Sequence, residues 1–152
     1  MTLVPEERTP ETDEALRLIG VIAVESARLE WGLAGLLSMT TLERDHVAAL
    51  DVPHDRAAKE IVRAFRTRPS WLGDGATNDL IRWTQNATKL LKRRGDLMHS
   101  TWITGENPGV GPQSSHLKSG RQEPVDVASL DSFATEVTGH VHGSPPLCGS
   151  SP

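Results

Sequence analysis

Cysteine is almost missing from this chain. Cys148 is the only one, set in a C-terminal stretch of Ser, Pro and Gly, so no disulfide can form within the chain and a reducing compartment is the simpler setting. Long apolar runs are missing as well. None approaches the roughly 20 residues a membrane-spanning helix needs, so the expectation is a soluble protein without a membrane partner. The opening MTLVPEERTPETDE is acidic and contains proline, and it lacks the basic start and apolar stretch of a secretory signal. Nothing in it directs export, and a cytoplasmic location is expected.

Two kinds of chemistry also lack their usual residues. The Gly-rich GENPGVG has no following Lys-Ser/Thr and no helix behind it, which argues against a nucleotide phosphate loop. His46, His54, His116, His140 and His142 show no metal-ligand spacing, and His140, His142 and Cys148 share only their place near the tail. Neither a metal nor another cofactor is expected.

What is present fits one domain. The 152 residues can bury a moderate core, and the expected division is a single helical domain over 1–142 and a disordered Ser/Pro/Gly tail over 143–152. The net charge of −4 conceals three blocks of alternating sign. Residues 1–55 hold 4 basic and 11 acidic groups, residues 56–94 hold 10 and 3, and residues 95–152 hold 2 and 6. Such a basic middle either meets phosphate or pairs with the acidic first block inside the fold, and the acidic whole-chain pI favours internal pairing.

Thr9, Pro10 and Glu11 make a good helix start: an N-cap, a proline at the first helical position and a carboxylate near the positive dipole end. A helix is expected from there to about Met39. On a wheel of about 100° per residue, Ala15, Leu16, Leu18, Ile19, Ile22, Ala23, Ala27, Leu29, Leu33, Ala34, Leu36 and Leu37 share one half of its surface. Ser26 and Glu30 intrude on that half, and a carboxylate at Glu30 wants a partner. A short helix capped by Thr41 should run to Leu50 and yield at the Asp51, Val52, Pro53 turn. Another should span Arg56 to Thr67, with Ala58, Ile61, Val62 and Phe65 inward and Arg56, Lys59, Arg63 and Arg66 outward. After the loop RPSWLGDGAT, Thr77 or Asn78 caps a long helix whose apolar line is Leu80, Trp83, Ala87, Leu90, Leu91 and Met98. STWIT and SSHLKS are β-prone and flank a Gly/Pro turn, which suggests a small hairpin. Asp126 caps a last helix with Leu130, Phe133, Ala134, Val137 and Val141 on one side.

KLLKRRGDLMHSTW, residues 89–102, carries the informative pattern. On a regular helix Arg94 lies among Ala87, Leu90, Leu91 and Met98, whereas Arg93 falls with Arg82, Lys89 and Asp96 on the wet side. A buried guanidinium without a counter-ion is too costly to expect, and Glu30 is the matching misplaced carboxylate, so the two should pair. Trp83 and Trp102 read as core rather than as base-stacking platforms.

A long first helix with an embedded Glu, followed by a long helix ending in Arg94, four residues, His99, Ser100 and a nearby Trp102, resembles the HEPN superfamily. The resemblance covers about residues 12 to 102 and extends loosely over the β-prone stretch and last helix. It implies an all-α, HEPN-like bundle with two long helices, short connecting helices, a small β-hairpin and a C-terminal helix. Many members of that family are metal-independent ribonucleases that act as homodimers, with two Arg/His motifs meeting in a shared cleft. The resemblance therefore implies RNA as substrate, a toxin or defence role and a cognate antitoxin as partner.

In that scheme His99 moves protons and Arg94 stabilises charge on the phosphoryl oxygens. Glu30, Asp96 and Ser100 support them, and Lys89, Lys92 and Arg93 track the RNA backbone. Gly95 departs from the family, which usually has a polar residue directly after the arginine. A silent helical module used for dimerisation or partner binding is the competing expectation, with Glu30 and Arg94 then serving only the fold.

Overall fold

The computed structural model describes residues 10–67, 73–98, 100–103, 113–116, 122–124 and 126–143. These hold five helices: α1 (Pro10–Thr41), α2 (His46–Leu50), α3 (His54–Thr67), α4 (Gly73–Met98) and α5 (Val127–His142). Three short strands, β1 (Ser100–Ile103), β2 (Gln113–His116) and β3 (Gln122–Pro124), lie between α4 and α5 and pair antiparallel in that order. The expected tail beyond Gly143 lies outside the described residues.

The central element is α1, which packs against α2, α3, α4 and α5. Its buried positions are Ala15, Leu18, Ile22, Ser26, Leu29, Leu33, Ala34, Leu36 and Leu37, which recur every three or four residues and so trace a single helical face. Ile61 of α3, Leu80 and Leu91 of α4 and Val137 of α5 close over that face, all of them fully buried. Each such side chain contributes about 1.5–3 kcal/mol through removal from water.

The apolar arc expected for α1 is too wide on one side. Leu16, Ala23 and Ala27 are exposed. No element covers that flank among the described residues; with Val24 and Trp31 it forms an apolar strip open to solvent. A wheel weighs apolarity and cannot tell which flank neighbouring helices will cover.

Three helix starts also differ from expectation. Thr41 does not cap α2; it is the last residue of α1, and its hydroxyl donates to the Leu37 carbonyl at 2.7 Å. The chain reverses through Leu42, whose φ of 57° is left-handed, and α2 begins at His46 with Asp45 as cap, accepting from the Ala48 N–H at 2.7 Å. α3 begins two residues before the expected Arg56, since the Ala57 N–H reaches the Pro53 carbonyl at 2.9 Å and draws His54 into the first turn. α4 begins at Gly73, and Thr77 sits inside it with its hydroxyl on the Gly73 carbonyl. For α5, Asp126 is the cap, accepting from the Ala128 N–H and the Ser129 hydroxyl.

Candidate functional site

Arg94 and Glu30 are brought together by the crossing of α4 and α1. Arg94 lies seven residues after Ala87 and three or four after Leu90 and Leu91, so the buried stripe of α4 carries it toward α1. There its Nη2 donates to Glu30 Oε1. The pair is neither sealed nor free: the side chains are 24% and 29% exposed. The Arg94 Nε is fully covered and has no hydrogen-bond partner among the described residues, so the guanidinium is inserted at least at that nitrogen.

A third group stands at the same oxygen. His54 Nε2, at the start of α3, lies 3.5 Å from Glu30 Oε1, with the imidazole 35% exposed. One carboxylate thus faces an arginine from α4 and a histidine from α3. Sequence reasoning missed His54, because it set the start of α3 two residues too late and nothing local links position 54 to position 30.

The other expected site residues are distributed as follows. His99 directly follows α4 and lies outside the described residues. Asp96 is exposed on the last turn of α4, and Ser100 opens β1 in register with His116. Lys89 and Lys92 are exposed on α4. Arg93 is not a free cation: its Nη1 donates to Glu136 of α5 at 2.7 Å, and its guanidinium stacks 4.3 Å from the centre of the Phe133 ring. It fastens α4 to α5 and is about half exposed at that joint. Next to it, Asn86, Lys89, Leu90 and His140 line a shallow groove of about 490 Å³.

Two tryptophan–histidine stacks brace the bundle on either side. His140 stacks on Trp83 and donates from Nε2 to the Trp83 carbonyl at 3.1 Å. His46 stacks on Trp31, ring centres 3.7 Å apart, and donates to the Trp31 carbonyl at 2.8 Å. Both contacts depend on glycine in α1: a Cβ at Gly32 would meet the Trp83 ring at 3.1 Å, and one at Gly35 would meet the His46 ring at 3.3 Å. These histidines are therefore structural, and Trp83 is core, as expected.

The internal pairing expected for the basic middle block is largely not what forms. Among the described residues Arg94 with Glu30 is the ion pair between that block and the acids of the first block. Glu14 and Glu25 instead bind Arg17 and Arg28 one turn away on α1, and Glu60, inside the basic block, takes both Arg44 and Arg56. A partner one turn away is nearly in place once the helix forms, so it costs less ordering than a distant one.

Among the described residues no group of three His, Cys, Asp or Glu side chains is placed to hold a metal ion, and no helix is long and apolar enough to cross a membrane. No known protein family, no curated protein and no solved structure matches the chain.

Proposed function

We propose that this chain is a metal-independent endoribonuclease of HEPN type, with a HEPN-like helical bundle and small β-hairpin, working as a cytoplasmic homodimer in a toxin or defence role. The observation that carries this reading is the placement of Arg94: α4 turns it to Glu30 on α1 and leaves the side chain about a quarter exposed, one turn before the helix ends at Met98. An arginine held this way is pre-oriented. Its remaining N–H donors can meet phosphoryl oxygens as negative charge accumulates, without reorganising at the moment of reaction.

In the reaction the 2′-hydroxyl oxygen attacks the adjacent phosphorus and the bond to the 5′-oxygen breaks. The products are a 2′,3′-cyclic phosphate and a 5′-hydroxyl. The hydroxyl proton leaves at attack and one is supplied to the departing oxygen, and His99 moves a proton in one of these steps. Glu30 fixes the Arg94 fork, and His54 on the same carboxylate limits the directions that carboxylate can take.

The test is RNA cleavage by purified protein in EDTA. Cyclic phosphate ends are expected, together with their loss in His99→Ala while the helical circular dichroism persists. Cleavage unchanged in His99→Ala would refute the assignment. A second reading, a silent helical module that binds a partner such as a cognate antitoxin, is favoured by Gly95 after the arginine and by the coverage of Arg94 Nε. It stands if wild-type protein never cleaves RNA and Arg94→Ala only lowers the melting temperature.

A further inference from the structure

Lys59, Arg63 and Arg66 project from one side of α3, at successive turns, and all three are exposed. They line a groove of about 420 Å³ between α3 and α4, floored by Ala58 and Val62 and faced by the exposed Gln85. Among the described residues none of the three has an ion pair or a side-chain hydrogen bond, whereas Arg56, on the same helix, and Arg44 both pair with Glu60. Arg63 also borders a second groove with Glu43 and Glu60, but over the apolar floor the three cations face one another and repel. The arrangement is relieved by an anion that meets all three.

We propose that this groove is a binding track for the backbone of single-stranded RNA, distinct from the Arg94 site. The choice of RNA rests on the nuclease reading above; the polyanion chemistry does not. The cations span about 10 Å along the helix, enough for successive phosphates of an extended strand, and the apolar strip of Ala58 and Val62 suits the faces of sugars or bases. Gln85 precedes Arg94 by nine residues and so lies on the opposite side of α4 from it. The track therefore does not overlap the Arg94–Glu30 pair. It runs along α3 from Arg66 to Lys59, toward the end of that helix where His54 meets Glu30. A strand is held there by affinity alone, without sequence readout.

The test is fluorescence anisotropy with a labelled, fully 2′-O-methylated oligouridylate of about 12 nucleotides, which lacks the attacking hydroxyl and cannot be cut. Wild-type protein should bind it with a log–log salt slope of about −2, as three phosphate contacts on a single strand require. The triple variant Lys59→Gln, Arg63→Gln, Arg66→Gln should bind roughly tenfold or more weakly with a slope near zero. Arg66→Glu alone should weaken binding in the same direction, and both variants should keep the wild-type melting curve. The proposal is overturned if the triple variant binds as tightly as wild type, or if a polyglutamate peptide of equal charge displaces the RNA as well as unlabelled RNA does. Because binding is read apart from cleavage, a protein that binds but never cuts sinks the nuclease reading alone. One that cuts while the triple variant binds unchanged sinks the track alone.

Discussion

His54 and Glu30, 24 positions apart in sequence, meet at the carboxylate oxygen that also receives Arg94, with His54 Nε2 at 3.5 Å. The consequence is that α1, α3 and α4 are joined at one partly wet point, and a change at any of the three side chains is felt by the other two.

A double-mutant cycle measures the strength of that joint. Glu30→Gln and Arg94→Met should each destabilise the protein, and the double variant should lose less than the sum of the two. A coupling of about 1–2 kcal/mol is expected for a charge-assisted bond at this degree of exposure. Denaturant unfolding supplies all four values. Additive losses would mean that the pair makes no net contribution.

Ser26 is buried in the α1 face, and its hydroxyl finds no partner among the described residues. An unmade hydrogen bond at a buried hydroxyl is unfavourable, and alanine is the better helix former. Ser26→Ala should therefore raise the unfolding free energy by about 0.5–1.5 kcal/mol. A loss of stability in the same urea titration would show that the hydroxyl is satisfied in solution.

Two glycines of α1 should respond in opposite directions. Gly20 has open space where a Cβ would stand, so Gly20→Ala should stabilise by about 0.5–1 kcal/mol through reduced backbone entropy in the unfolded chain. At Gly32 the Trp83 ring stands 3.1 Å from that place, so Gly32→Val should overpack the contact and cost about 1–3 kcal/mol. Thermal melts of the two variants side by side check both signs.

Bonds from the Ser129 hydroxyl and the Ala128 N–H hold the Asp126 carboxyl below the ordinary range of aspartate. A carboxyl whose folded-state value is depressed adds stability above its unfolded value and loses it as pH falls through the folded one. Wild-type protein should therefore lose stability on acidification more steeply than Asp126→Asn, which keeps an acceptor but has no charge to titrate. Melting temperatures from about pH 5 down to about pH 2 compare the two. Identical slopes would remove the cap from the acid response.

How far these features were legible in the sequence follows from their range. The Asp126 cap was legible because it acts on residues two and three places on, and Arg94 with Glu30 because each broke an apolar stripe of its own helix. His54 was not, since its role depends on how α3 docks rather than on any local pattern. Arg93 was read as wet from its spacing, which is true of its position, but its partners Glu136 and Phe133 belong to a helix about 40 residues later. The exposed flank of α1 was misread for the same reason. Helical character and core-facing residues are encoded within a few turns, whereas which flank is covered is decided between elements.

The central place of α1 has a consequence for synthesis. Its partners include α5, which is made after α2, α3 and α4, so during translation the apolar face of α1 waits until Val127–His142 has been synthesised before its cover is complete. Nascent chains halted before residue 127 should accordingly be holdase clients and protease-sensitive, and release of α5 should end both states together.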